Sequence, residues 1–131
     1  MRIISGSFKG KKILEPKDKQ TRPLKDLTKE SIFNIITHSN KFKIDFNNST
    51  ILDLFSGVGS FGLECLSRGV KEVLFIENYT GVLPILEKNL SNLKTINNYK
   101  IIKKNIYKDD IFKNIIFVNI FFYYLIIIDC L

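Results

Sequence analysis

The residues best suited to chemistry lie in one stretch, Asp53-Leu-Phe-Ser-Gly-Val-Gly-Ser-Phe-Gly-Leu-Glu. Gly57, Gly59 and Gly62 have the G-x-G-x-x-G spacing that follows a buried strand in nucleotide-binding folds. Glycine lets the backbone turn tightly and approach a ligand, and the helix that follows begins with free N–H donors. Glu77 lies 20 positions after Gly57, at the end of the next apolar run, where a carboxylate can hold the two hydroxyls of a ribose. Together these features predict a site for a nucleoside-containing cofactor.

Asp53 distinguishes between two such cofactors. A carboxylate in this turn repels the pyrophosphate of NAD, whereas it attracts the sulfonium and the ammonium of S-adenosylmethionine. We therefore favour S-adenosylmethionine over NAD as the cofactor. A purely structural alternative is that Asp53 caps the turn or the helix after it.

The composition is that of one small domain with an excess of positive charge. The chain has 131 residues, of which 45% are hydrophobic, and a net charge of +7 that makes contact with a polyanion plausible. Cys65 and Cys130 have neither zinc nor redox spacing, and the single histidine, His38, excludes a histidine-built metal site. We therefore expect reduced thiols, no metal and a cytoplasmic protein.

Residues 2–14 are predicted to form a small β-ribbon punctuated by Gly6 and Gly10. One aromatic residue, Phe8, lies among several lysines, a composition typical of a strand that contacts nucleic acid through phosphates and stacking. The alternative is a solvated edge hairpin that lysine keeps soluble. Composition does not choose between these two interpretations.

The rest of the chain alternates between helix and strand. We predict helices over residues 26–38, 60–68 and from Gly81 onward, and strands that end near residues 55, 77, 104 and 122. The first helix has its apolar side on Leu27, Ile32, Ile35 and Ile36, and the third on Leu83, Leu86, Leu90 and Leu93. This alternation predicts an α/β fold with a parallel sheet of about four strands.

The chain resembles the amino-terminal two-thirds of the RsmD family, bacterial 16S ribosomal RNA guanine-N2 methyltransferases, over about residues 1–119. Besides the glycine-rich stretch, the matching segments are Arg2-Ile-Ile-Ser-Gly-Ser-Phe-Lys-Gly-Lys-Lys, Thr21-Arg-Pro, Lys29-Glu-Ser-Ile-Phe-Asn-Ile, Leu66-Ser-Arg-Gly, Phe75-Ile-Glu and Lys88-Asn-Leu. The resemblance implies a Rossmann-like S-adenosylmethionine-dependent methyltransferase domain over residues 26–131. It also implies that residues 1–25 are a basic hairpin extension.

The resemblance assigns a role to each matching position. It implies that Asp53, Ser56, Gly57 and Gly59 face the methionyl part of S-adenosylmethionine, that Glu77 holds the ribose and that Asn105 binds the adenine. It implies that ribosomal RNA is contacted by a set of amino-terminal residues, namely Arg2, Phe8, Lys9, Lys11, Lys12 and Arg22. The expected partner is therefore 16S ribosomal RNA or the small ribosomal subunit, bound by a monomer.

The catalytic segment departs from the family pattern. The family has an Asp-Pro-Pro-Phe/Tyr turn, whose acceptors orient the target amine and whose aromatic ring stacks on the base. Here the aligned residues are Asn119, Ile120, Phe121 and Phe122. Asn119 and Phe122 retain an acceptor and a ring, but the loss of both prolines leaves the turn without its fixed geometry.

Two further expectations concern the end of the sequence. The apolar run at residues 115–128 is shorter than the roughly 20 residues that a membrane-spanning helix needs, so we predict a strand and no membrane segment. We also expect a carboxy-terminally truncated or frameshifted gene product, because the family sheet continues beyond the fourth strand. The functional alternatives are thus an RNA methyltransferase, a non-catalytic remnant that binds cofactor or RNA, and an NAD-dependent oxidoreductase.

Overall fold

The computed structural model describes residues 1–18, 24–38 and 45–108. Three helices are described, α1 (Asp26–His38), α2 (Ser60–Ser67) and α3 (Leu83–Ser91), together with a short 3₁₀ turn at Phe46–Asn48. Three strands alternate with them, β1 (Thr50–Asp53), β2 (Glu72–Ile76) and β3 (Tyr99–Ile102). The element boundaries lie within two residues of those predicted, and His38 ends α1 as expected.

The three strands form one parallel sheet in the order β1-β2-β3. Asp53 pairs with Phe75, and Ile76 pairs with Ile102, so the carboxyl ends of the three strands lie along one edge. The predicted α/β class with a parallel sheet is confirmed. The fourth predicted strand, at residues 114–122, lies outside the described residues.

Helices α2 and α3 pack on the face of the sheet that carries Val73 and Phe75. All eight residues of α2 are buried. The predicted apolar side of α3 is confirmed, since Leu83, Leu86, Leu90 and Leu93 all lie in the core. Gly62 allows α2 to lie this close, because a Cβ at that position would overlap the ring of Phe75.

The amino-terminal hairpin is shorter in its pairing than the predicted ribbon. Its strands meet at one antiparallel bridge, Arg2 to Lys12, and the N–H of Ile13 donates to the carbonyl of Met1. Residues 4–8 bond to α2 instead: the N–H groups of Ser7 and Phe8 donate to the carbonyl and the hydroxyl of Ser67. The ribbon is therefore only partly formed, because α2 takes the donors that a longer ribbon would use.

The predicted apolar side of α1 is wrong in two of its four residues. Leu27 is 76% exposed and Ile35 is 60% exposed, whereas the buried residues of the helix are Lys29 and Phe33. The ring of Phe33 stacks on Phe61 at 5.1 Å between centroids. The spacing of apolar residues did not predict this buried face of α1, because one of its two buried residues is a lysine.

Glu64 and Lys29 form a fully buried ion pair that joins the hairpin, α1 and α2. The Lys29 ammonium lies 3.6 Å from the Glu64 carboxylate, and both side chains are 0% exposed. The same carboxylate accepts the backbone N–H groups of Ile4 at 2.8 Å and Ser5 at 2.9 Å. The Arg68 guanidinium adds a fourth partner at 3.0 Å. Each acidic oxygen is thus supplied with donors, as a buried charge requires.

Burial acts on the proton equilibrium of Lys29. Desolvation lowers the pKa of Lys29, and the carboxylates of Glu64 and Asp26 partly oppose it by raising the pKa. The folded chain therefore binds this proton less tightly than the unfolded chain. Considered alone, Lys29 therefore increases the free energy of unfolding as the pH rises from the pKa of Lys29 in the folded chain to its pKa in the unfolded chain.

Replacing Glu64 with Gln is expected to destabilise the fold by about 3–5 kcal/mol, because it removes the buried charge partner of Lys29 and leaves only the part-exposed Asp26, at 3.8 Å. Gln also replaces one carboxylate oxygen with an N–H₂ group, so either Ile4 or Ser5 loses the acceptor for its backbone N–H. Urea denaturation followed by circular dichroism measures the loss. The double variant Glu64→Gln, Lys29→Met should be more stable than Glu64→Gln alone, because no unpaired ammonium remains.

Glu72→Gln is the matched control. Glu72 pairs with Lys100 at 3.4 Å, but the two side chains are 31% and 70% exposed. An exposed pair of this kind contributes about 0–1 kcal/mol. Equal losses in Glu64→Gln and Glu72→Gln would contradict a special role for the buried carboxylate.

Candidate functional site

The glycine turn joins β1 to α2 at the carboxyl edge of the sheet. Gly57 and Gly59 have φ values of +51° and +84°, a backbone conformation that other residues rarely adopt. The hydroxyl and the N–H of Ser56 both donate to the carbonyl of Ile76, at 3.2 Å. The turn is thereby fastened to the end of β2, next to Glu77.

The later glycines of the motif are required by packing. A Cβ on Gly59 would meet the side chain of Leu86 on α3, and one on Gly62 would overlap Phe75 on β2. Gly59 therefore serves both the turn and the approach of α3. Gly62 has one evident role, the close contact between helix and strand.

Asp53 lies at the end of β1, and its side chain is directed at the start of α2. It is 3% exposed, and its Oδ2 accepts the N–H of Gly62 at 3.1 Å. The positive end of the helix favours this negative charge. The structure thus shows the capping role that was the alternative for Asp53, and cofactor binding remains a prediction.

Glu77 follows β2 and accepts backbone N–H groups from two turns. Its Oε2 accepts from Gly57 at 2.9 Å, and its Oε1 accepts from Asn78 and Tyr79, both at 2.8 Å. A carboxylate offers about four acceptor positions. Glu77 therefore joins the glycine turn to the loop after β2, and ribose hydroxyls would add to these bonds or replace them.

Asn105 lies three residues after β3, at the same edge. Its Oδ1 accepts the N–H of Tyr107 at 2.9 Å, which fixes a turn after the strand. The Tyr107 ring lies 5.9 Å from the ring of Phe55, between centroids, and is 80% exposed. Sequence reasoning treated Phe55 only as a strand residue and did not predict this aromatic pair.

The predicted cofactor residues thus converge, since Asp53, Glu77 and Asn105 follow the ends of three adjacent strands. Cys65 lies behind Asp53 in the core. Burial raises the pKa of the Cys65 thiol well above its usual range, and the carboxylates of Asp53 and Glu64 add to the effect. The thiol is therefore unreactive.

Among the residues described, no group of three or more His, Cys, Asp or Glu is arranged to hold a metal ion.

The predicted RNA-binding residues of the hairpin lie mainly on its surface. Arg2, Lys9 and Lys12 are exposed, and Phe8 is half-buried. Lys11 is also exposed, but its ammonium donates to the carbonyl of Asn92 at 3.2 Å and lies 5.3 Å from the centre of the Phe8 ring.

Three other predicted site residues, Arg22, Asn119 and Phe122, lie outside the described residues. In the ranges that are described, no helix is long and apolar enough to cross a membrane.

Two buried polar residues were missed as organisers of the site, Glu64 and Asn89. Asn89 is 3% exposed and bonds to both the hairpin and the glycine turn. Each lies in a segment that matched the RsmD pattern, Glu64 at the end of the glycine-rich stretch and Asn89 in Lys88-Asn-Leu. Only those matches in the sequence could have indicated that Glu64 and Asn89 are important, because hydrophobic periodicity identifies apolar positions and not polar ones.

Comparison with known proteins gives a consistent result. The model of the family described as conserved hypothetical protein 95 matches residues 1–119. A putative rRNA methyltransferase of Bacillus subtilis is 34% identical over 105 residues, covering 80% of this chain and 54% of that protein. The ribosomal RNA small subunit methyltransferase D of Escherichia coli is 33% identical, covering 80% of this chain and 50% of that protein.

Solved structures agree with the sequence matches. A putative methyltransferase from Escherichia coli superposes with a TM-score of 0.65 at 33% identity, covering 80% of this chain and 53% of that one. A putative methylase from Haemophilus influenzae gives 0.55 at 34% identity, covering 79% and 51%. The Rossmann-like methyltransferase fold predicted from the sequence is confirmed, with three parallel strands in the described part of the sheet.

The chain spans about half the length of the curated relatives it matches, less than the two-thirds predicted. The extent of the family match and the agreement among relatives and solved structures nevertheless lead to one conclusion: the chain belongs to the conserved hypothetical protein 95 family, the RsmD family of ribosomal RNA small subunit methyltransferase D.

Proposed function

We propose that this protein takes part in S-adenosylmethionine-dependent methylation of a guanine exocyclic amine in 16S ribosomal RNA. The relatives named as ribosomal RNA small subunit methyltransferases support the reaction class and the RNA. The guanine N2 target rests on the family resemblance of the sequence. In this proposal the described residues supply the cofactor turn and an RNA-facing hairpin.

The choice of cofactor rests on one observation, namely which acceptors the N–H groups around the glycine turn bond to. In dinucleotide-binding folds, such groups hold a pyrophosphate. Here the N–H of Gly57 donates to Glu77 and that of Gly62 donates to Asp53. A pyrophosphate would have to displace two carboxylates and lie against their charge. A cationic nucleoside is attracted by these two carboxylates, whereas the pyrophosphate of NAD is repelled, which argues against an NAD-dependent oxidoreductase.

Each residue at this edge has a definite task in the proposed complex. Bound S-adenosylmethionine supplies a methyl group activated by a positively charged sulfur. Asp53 would attract the cationic methionyl part, with Ser56, Gly57 and Gly59 shaping the backbone around it. Glu77 would accept the ribose hydroxyls, and the amide of Asn105 would bind the adenine edge, for which it has both a donor and an acceptor.

Methyl transfer itself would depend on residues beyond the described part of the chain. Asn119 would accept a hydrogen bond from the guanine amine, and Phe122 would stack on the base. A guanine amine is a poor nucleophile, so its lone pair must be oriented by fixed acceptors. Ile120 and Phe121 replace the family's two prolines. This departure favours a second candidate function, a non-catalytic protein that retains cofactor or RNA binding.

The hairpin is the proposed contact to RNA. Lys9 and Lys12 are exposed on one short segment, and Arg2 is exposed on the opposite strand, bridged to Lys12. The chain carries a net charge of +7. Cationic side chains on a surface attract phosphates and orient the RNA without reading its sequence. A monomeric state remains our prediction.

Asp53→Asn is expected to weaken S-adenosylmethionine binding by about 1–3 kcal/mol, the cost of losing a charge-assisted hydrogen bond. Asn keeps an oxygen that can accept the N–H of Gly62, so the cap and the fold should be largely preserved. Calorimetric titration with S-adenosylmethionine and with NAD measures both affinities.

Asp45→Asn is the matched control for this experiment. Asp45 also caps a turn, accepting the N–H of Asn47 at 3.2 Å, but it precedes β1 at the opposite end of the sheet. Its replacement should leave cofactor affinity unchanged. Tight binding of NAD, with none of S-adenosylmethionine, would refute the proposed cofactor.

Replacing Lys9 and Lys12 with Ala should weaken binding to 16S RNA. It should also reduce the slope of log K against log salt by about one unit per lost phosphate contact. The control replaces Lys100 and Lys103, which carry the same charge but pair with Glu72 and Glu87. Filter binding over a range of salt concentrations gives both slopes. Identical slopes in the wild type and the hairpin variant would mean that these lysines only keep an edge soluble.

The chain is expected to transfer little methyl to guanine, far less than the methyltransferase D of Escherichia coli, because Ile120 and Phe121 do not fix the acceptor turn. Transfer of radiolabelled methyl to 16S RNA and to small-subunit particles measures this activity. The methyltransferase D of Escherichia coli serves as the positive control. Robust turnover by this chain would show that the two prolines are dispensable and would exclude the non-catalytic alternative.

A further inference from the structure

Helix α3 connects the hairpin to the glycine turn through one buried amide, Asn89. Its Oδ1 accepts the N–H of Leu14 at 2.8 Å, and its Nδ2 donates to the carbonyl of Leu14 at 3.1 Å. The same Nδ2 donates to the carbonyl of Val58 at 3.0 Å. One side chain thus bonds to the backbone of both functional segments.

The chemistry of the amide makes this connection specific. Asn89 is 3% exposed, so water does not substitute readily for a lost bond. An amide has one acceptor oxygen and two N–H donors. Leu14 uses the oxygen and one donor as a backbone pair, and Val58 uses the second donor. A shift of the Leu14 backbone therefore reorients the group that holds Val58.

On the cofactor side, the bonded carbonyl belongs to the centre of the glycine turn. Val58 lies between Gly57 and Gly59, the two residues with positive φ, and is 2% exposed. Leu86, one helical turn before Asn89, fills the space beside Gly59. The conformation of the turn that faces the proposed methionyl group is therefore held from α3.

On the RNA side, the bonded residue, Leu14, lies two positions after the hairpin cation Lys12. Lys11 contacts the end of the same helix, through the carbonyl of Asn92 at 3.2 Å. Ile13, beside Leu14, is 1% exposed and anchors this strand of the hairpin in the core. Residues 11–14 and α3 thus form one packed unit.

We propose that Asn89 is a positioning residue that couples the two sites, so that RNA on the hairpin and cofactor at the glycine turn raise each other's affinity. This inference rests on the proposed function. RNA that further restrains residues 11–14 also restrains Asn89 and the Val58 carbonyl, so less conformational freedom is left to lose when the cofactor binds. Linkage requires the effect to be reciprocal.

The test compares the affinity for S-adenosylhomocysteine, measured by calorimetry, with and without 16S RNA transcribed in vitro. In the wild type, RNA should tighten binding by about fivefold or more, the lower end of ordinary coupling. Asn89→Asp keeps an acceptor for Leu14 but removes both N–H donors. Asn89→Ala removes the whole amide. In both variants the ratio of the two affinities should fall toward one.

Asn98→Ala is the matched control. Asn98 also donates two hydrogen bonds from its Nδ2, to the carbonyls of Val70 at 2.9 Å and Lys71 at 3.2 Å. These carbonyls precede β2, at the far end of the sheet from the glycine turn. Asn98→Ala should lower the melting temperature, because it removes one partly buried and one exposed hydrogen bond, yet leave the affinity ratio at its wild-type value.

Hydrogen exchange on the wild type gives a second readout that needs no variant. Adding RNA should slow exchange at the N–H of Leu14 and at the N–H of Gly59, which donates to Ser56 within the turn. Protection at Leu14 without protection at Gly59 would overturn the proposed coupling.

The outcomes separate the inference from the function beneath it. A wild type that binds no S-adenosylhomocysteine under either condition refutes the proposed function, and the coupling with it. Cofactor binding with a ratio near one refutes the coupling alone. An unchanged ratio in folded Asn89 variants also refutes the role of Asn89 while leaving the function intact.

Discussion

The arrangement of this domain depends on one buried carboxylate, that of Glu64. A buried charge is tolerated only when every lone pair has a donor. The donors here come from the backbone of Ile4 and Ser5, from Lys29 and from Arg68, which lie far apart in the sequence. Satisfying Glu64 therefore requires the hairpin, α1 and α2 to assemble together. In general, the desolvation of two buried charges offsets much of their electrostatic gain, so such a pair adds little net stability when complete but is costly to break on one side.

That assembly sets the geometry of the site through α2. The helix carries Glu64 on the side facing the hairpin, and its first turn presents the N–H of Gly62 to Asp53. The helix is only eight residues long, so a displacement of Glu64 near its middle also displaces the first turn of the helix. Because α2 also packs against Phe75 through Gly62, the sheet and the hairpin together fix the direction of its positive end. The placement of Asp53 thus depends on the packing of α2 against the hairpin and the sheet.

Much of the fold followed from sequence, because alternating apolar runs and glycine turns are local signals. The α3 stripe, the parallel sheet and the convergence of Asp53, Glu77 and Asn105 all have this origin. The failures share one physical cause. Lys29 and Asn89 are buried by polar contacts whose partners, apart from Asp26 beside Lys29, lie at least 27 positions away. No periodicity within a helix reveals such partners, so the buried side of α1 was assigned to Leu27 and Ile35 instead.

The glycine motif illustrates why spacing alone does not identify a ligand. Gly59 and Gly62 are required here because a Cβ at either position would overlap Leu86 or Phe75. Any close packing of a helix, a strand and a turn imposes the same requirement. A dinucleotide-binding fold meets the same steric demand with the same glycines. The difference lies in what receives the exposed N–H groups, a phosphate in one case and the carboxylates of Asp53 and Glu77 in the other. Because carboxylates already accept those N–H groups, the glycine spacing by itself does not identify the ligand, and the proposal of a cationic cofactor rests on the polar residues around the glycines.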